Sequence, residues 1–138
     1  MVNSRNKGAN FEREVINLIK ARFPELAKKV DIKRNLDQYQ RKDQSDIEFL
    51  EFCIECKRYS FVTDGMYKDE WWQQVRRATR DELTPILIFK YDRNPIRVAL
   101  PLFMCNPDWE KDFHKILVTN FEEFCEILEQ YMHRNKLI

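Results

Sequence analysis

The sequence predicts an α/β domain with a mixed central β-sheet flanked by helices. Three observations carry this expectation: apolar residues at helical spacing near both ends of the chain, β-rich runs of five to nine residues between them, and an order in which strand pairs alternate with helices. At 138 residues the chain fits one domain with one core, and 43% hydrophobic content with only two glycines leaves little room for flexible linkers.

The first predicted element is a helix from about Gly8 to Phe23, closed by Pro24, because Phe11, Val15, Leu18, Ile19 and Phe23 recur three and four residues apart. Residues 26–36 (LAKKVDIKRNL) read as a strand, and YQRKDQS as a polar loop. The runs DIEFL and FCIECKRY lie almost end to end, as in a hairpin. A second helix is expected from Tyr67 to about Asp81, with Trp71, Val75 and Ala78 on its buried side. PILIFKYD and IRVALPLFM follow as strands separated by the turn signal Arg93-Asn94-Pro95, and KILVT reads as a further short strand. Asn120 is a good N-cap for a last helix, about 120–136, that buries Phe121, Phe124, Cys125 and Leu128.

Composition excludes several classes. No apolar run approaches the roughly 20 residues needed to span a bilayer, and the polar start MVNSRNKGAN lacks a signal-peptide core. A cytoplasmic protein without membrane partners is therefore expected. Cys53 and Cys56 have the spacing of a zinc knuckle, but within a strand residues three apart point to opposite faces. Buried thiols in a reducing compartment are the simpler expectation for all four cysteines. Residues 1–100 hold 20 Lys and Arg against 16 Asp and Glu, whereas residues 101–138 hold 4 against 7. A basic working face and an acidic tail end are compatible with that split.

The hairpin carries the chemistry. If it turns at Leu50-Glu51, Phe49 faces Phe52, Ile47 faces Ile54 and Asp46 faces Glu55. Directly opposed residues project to one face with Cβ atoms about 4.5–5.5 Å apart. Lys57, two residues past Glu55, joins them, while Ile47, Phe49, Ile54 and Cys56 form an apolar face. Opposed carboxylates repel unless something positive sits between them, and a hard divalent cation suits converging carboxylate oxygens. An exposed face with one Asp–Lys or Glu–Lys pair accounts for the hairpin alone equally well. Glu12 borders the buried stripe of the first helix, where it is either a solvated edge residue or directed along the sheet. Gln74 borders the buried side of the second helix, and Gln73 groups with Arg76, Arg77 and Arg80 on a basic side open to phosphates or to solvent.

Taken in order, these segments resemble the PD-(D/E)XK nuclease superfamily, and most of all its Holliday junction resolvase branch. KGANFERE resembles the resolvase helix signature, placing Glu12 and Arg13 in its roles. SDIEFLEFCIECKRY resembles the core motif, with Ser45-Asp46 where Pro-Asp is usual and Glu55-Cys56-Lys57 as E-x-K. EWWQQV followed by PILIFKYDRNPIRVALP resembles the later helix and strands, with Gln74 as the motif glutamine. The likeness covers roughly residues 5–104 and leaves the C-terminal helix without a motif.

The resemblance implies a restriction-endonuclease-like core forming one nuclease domain over residues 1–138. It implies a Mg²⁺-dependent endodeoxyribonuclease, with Mn²⁺ as a substitute, acting in DNA recombination on branched or junction DNA as a homodimer. Glu12, Asp46, Glu55 and the Cys56 carbonyl would hold metal, Lys57 would act on the attacking water or the transition state, and Gln74 would position Lys57 or the phosphate. Lys7, Arg13, Arg41, Lys42, Arg76, Arg77 and Arg80 would contact the DNA backbone. Trp72, Phe103 and Trp109 are candidate exposed anchors for the dimer. A restriction- or repair-type nuclease, or a non-catalytic nucleic-acid-binding module, are the competing readings.

Overall fold

The computed structural model describes residues 4–35, 45–60, 64–79 and 82–138, with side chains from residue 7 onward. Helix α1 spans Ser4–Arg22 and α2 Pro24–Lys29; strands β1 (Lys33–Arg34), β2 (Ile47–Phe49) and β3 (Phe52–Tyr59) follow. Helix α3 (Asp69–Ala78) leads to β4 (Thr84–Tyr91), β5 (Arg97–Pro101), β6 (Ile116–Asn120) and α4 (Phe121–Arg134). The six strands form one sheet in sequence order, with β3 and β4 parallel and every other neighbouring pair antiparallel.

The mixed sheet follows from the connections. The antiparallel pairs β2–β3 and β4–β5 are joined by short turns, but parallel β3 and β4 need a crossover, which α3 provides. That puts α3 on one face of the sheet, where Trp71, Trp72 and Val75 pack with Cys53, Leu87, Phe89 and Ala99. The other face carries α1, α2 and α4, whose Phe11, Val15, Ile19, Leu26, Phe124 and Leu128 pack on Ile47, Ile54, Ile86, Ile88 and Val98. Covered on both sides, β4 reads as a near-continuous apolar run, TPILIFKY.

The hairpin has the expected register: Ile47 faces Ile54, Glu48 faces Cys53, and Phe49 faces Phe52. Its turn puts Leu50 at φ 51°, in the left-handed region, as a two-residue hairpin loop demands. The Asn120 side chain caps α4 by accepting from the Glu123 N–H at 2.7 Å. Cys53 and Cys56 are buried in the two opposite cores, so they share no site.

Three expectations need correction. Residues 26–29 are helical, not extended, because Pro24 opens a new helix at its first turn and the good helix formers ELAKK continue it. The strand of IRVALPLFM stops at Pro101, and Leu102–Cys105 form a 3₁₀ turn whose Met104 carbonyl accepts from Arg134 at 2.7 Å. Helix α3 is shorter than expected, since Tyr67 and Lys68 precede it and Thr79 is already extended. Among the described residues no helix is long and apolar enough to cross a membrane.

Candidate active site

β2 pairs with β3 only as far as Ile54. From Glu55 to Tyr59, β3 is paired with β4 on one side, leaving its other edge to side chains among the described residues. Asp46, one residue before β2, turns its carboxylate into that edge, and Oδ2 accepts the Cys56 backbone N–H at 2.8 Å. The N–H and C=O of a strand residue point to the same edge, so the Cys56 carbonyl faces the same opening.

Glu55, Lys57 and Tyr59 alternate onto the α3 face. The Lys57 ammonium lies 3.5 Å from Glu55 Oε1, and the same oxygen accepts the Gln74 amide at 3.0 Å. Gln74 therefore steadies Glu55, the residue that also holds Lys57. Glu55 Oε2 is buried and has no hydrogen-bond partner among the described residues. A bare carboxylate oxygen inside a protein is costly.

Glu12 reaches the cluster from α1, on the opposite layer of the sheet. It is buried, and its Oε2 accepts from Arg34 Nε at 2.6 Å, both side chains being nearly covered. Sequence reasoning missed Arg34 as the partner of Glu12. The signal available was a basic residue in a short run ahead of the hairpin, but nothing local points it at residue 12.

The electrostatics agree with the geometry. Burial, then the charges of Glu55 and Glu12, push the Asp46 carboxyl up to about 9, and the Cys56 N–H only partly opposes them. Burial also raises Glu55, with Lys57 pulling the other way. Burial lifts the Cys56 thiol well above its ordinary value, so it stays a neutral core group on the far side of the strand.

Whether a cation fits can be judged from these atoms. Among the described residues no three His, Cys, Asp or Glu side chains form a ready-made cage. What converges is a pair, Asp46 and Glu55, with Glu12 nearby on Arg34. A pair of carboxylates with one bare oxygen is chemically compatible with a hard divalent cation that keeps several of its waters.

With this arrangement in view, comparison with known proteins is decisive for the family. The family described as "Phage putative PDDEXK endonuclease" matches residues 3–133. The chain belongs to that family. It is thus a nuclease of the PD-(D/E)XK superfamily, whose members generally use divalent metals. A search of curated proteins finds no match. Among solved structures the fold is similar to that of Hjc, a Holliday junction resolvase from the archaeal hyperthermophile Archaeoglobus fulgidus. The TM-score is 0.54 at 15% identity, covering 88% of this chain and 98% of that one. At that identity the likeness establishes the restriction-endonuclease-like fold.

The basic residues of this PDDEXK chain are more engaged than their spacing suggested. Lys7 is ion-paired to Asp92 at 2.8 Å, and Asp92 also accepts from Arg58 at 3.0 Å. Arg13 is exposed and donates to Asn10 at 3.2 Å. Arg76 lays its guanidinium 4.1 Å from the centre of the Phe113 ring, while Arg77 is exposed. Arg41, Lys42 and Arg80 lie outside the described residues. Trp72 is corrected: it is buried, and its indole N–H donates to the Phe113 carbonyl at 3.3 Å. The segment ahead of β6 folds over α3 and covers it, which no property of the helix announced. Phe103 is half-buried, and Trp109 is exposed.

Proposed function

We propose that this nuclease is a divalent-metal-dependent DNA endonuclease selective for branched DNA, acting on junctions as a homodimer. The observation that carries the metal dependence is the buried Asp46–Glu55 pair with an unpartnered Glu55 Oε2. Similarity of fold to a junction resolvase supports the substrate class.

Asp46 and Glu55 would hold the cation, helped by the Cys56 carbonyl on the same open edge and by the charge of Glu12. A divalent ion held there would supply a more acidic water and positive charge for phosphodiester hydrolysis. Asp46 is fixed by the Cys56 N–H and Glu55 by Gln74, so neither carboxylate must reorganise. Lys57, mostly covered, is held 3.5 Å from Glu55 and would offset charge that builds on the phosphate. Arg13 and Arg77, with Arg41, Lys42 and Arg80, would contact the backbone without reading sequence. Lys7 and Arg76 would join them by exchanging Asp92 and Phe113 for phosphate.

The test is cleavage of matched four-way junction, flap, linear duplex and single-stranded DNA with and without Mg²⁺. Junction nicking that requires Mg²⁺ and disappears in Lys57→Ala is expected. Equal cutting of linear duplex would refute the junction selectivity, and wild-type activity in Lys57→Ala would refute the catalytic assignment.

A further inference from the structure

β3 continues past Lys57 to Tyr59, which lies roughly 6.6 Å further along the same face at about 3.3 Å per residue. Tyr59 is 44% exposed although it ends a central strand. Its ring stacks on that of buried Trp71, with centroids 5.0 Å apart and planes 13° from parallel. Trp71 is held in turn by Phe89 and Tyr91, at 6.4 and 6.1 Å between centroids. The Lys68 ammonium is 5.8 Å from the Tyr59 centre and 5.9 Å from that of Trp71. Being equidistant, it sits beside the stack and not on the outer face of Tyr59.

The same strand and helix thus make two contacts in register. Glu55 meets Gln74, and one helical turn away Tyr59 meets Trp71. The first holds Glu55 and the second holds an aromatic ring, 44% exposed, against Trp71, with Lys57 between them. A flat ring backed by a second ring, with an ammonium at its rim, has the chemistry that receives a nucleobase and its phosphate. A paired, stacked base cannot offer its face to it, whereas an unstacked base at a branch can.

We infer that Tyr59, backed by Trp71 and flanked by Lys68, is a stacking platform for an unpaired nucleobase next to the scissile phosphate. This inference rests on the nuclease reading above and names the feature of branched DNA that the site selects. Tyr59 acts on positioning and specificity and takes no part in the chemistry at Lys57.

The experiment uses the full chain with Ca²⁺ and two DNA probes, one carrying 2-aminopurine unpaired at a branch and one carrying it within paired duplex. Wild type and Tyr59→Phe should quench the unpaired probe and leave the paired one unchanged. Tyr59→Leu should lose the quench and bind the branched probe about 5- to 150-fold more weakly, with duplex binding and melting temperature preserved. If wild type gives no quench, or Tyr59→Leu quenches and binds as wild type does, the platform is refuted. Parallel Mg²⁺ cleavage by wild type separates the two ideas. Cutting without quenching overturns the platform alone, and absence of both binding and cutting overturns the nuclease reading with it.

Discussion

Two aspartates beside β3 meet opposite fates. Asp92 receives Lys7 on one oxygen and Arg58 on the other, and these bonds hold its carboxyl below the usual carboxylate value. Asp46 is buried, receives one backbone N–H, and faces two further carboxylates that push it up to about 9. The Asp92 cluster is complete and ties α1 to the ends of β3 and β4. In the Asp46 cluster, Arg34 is bound to Glu12 and Lys57 to Glu55, and Asp46 itself has no ion-pair partner among the described residues. Carboxyl groups perturbed in this way cluster at functional sites.

The comparison breaks first on activity. Asp46→Asn or Lys57→Ala should lower the cleavage rate by about 10²–10³-fold or more, whereas Asp92→Asn should leave it near wild type in single-turnover assays. The next effect is on folding. Removing Arg34 leaves Glu12 as a buried charge without its ion-pair partner, so Arg34→Ala should cost about 3 kcal/mol in urea unfolding. No such loss would mean that the pair is solvated.

Divalent cation should stabilise the protein through one cluster and not the other. At a hundredfold excess over Kd, Mg²⁺ or Mn²⁺ should add about 2.7 kcal/mol, visible as a rise in melting temperature. Asp46→Asn or Glu55→Gln should abolish that rise, and Asp92→Asn should retain it.

The two aspartates also predict opposite pH slopes without metal. The folded-state pKa of Asp46 lies above its ordinary 3.8, so the folded form keeps a proton that the unfolded chain releases. Its contribution is fully present below about pH 4 and declines as pH rises towards about 9. Asp46→Asn should flatten that decline in melts across the range. Asp92 has a lowered pKa, so its contribution is present above the ordinary carboxylate value and lost on acidification through the folded one. Asp92→Asn should give the smallest change, shrinking further in high salt because the cluster is partly exposed.

Much of this chain was legible because its signals are local. The two-residue turn at Leu50-Glu51 fixed the hairpin register as far as Ile47 and Ile54, and alternation along β3 put Glu55 and Lys57 on one face, whereas Asp46 lies beyond the paired residues and turns to the strand edge. Alternation alone separated Cys53 from Cys56, and Asn120 announced the start of α4. The helix at Pro24–Lys29 is not legible in the sequence because its apolar residues are too few to show a period and because Pro24 both ends one helix and opens the next.

Other features are long-range pairings. Glu12 meets Arg34 from a different layer, Lys7 meets Asp92 across most of the chain, and Trp72 is covered by the segment around Phe113. Gln74 meets Glu55 because the crossover sets the angle between α3 and β3. Side-chain direction along a strand or helix follows from periods of 2 and 3.6, which the sequence alone determines. Which charge neutralises which, and which ring stays open, depends on layers meeting at angles set by packing, and only the tertiary structure decides that.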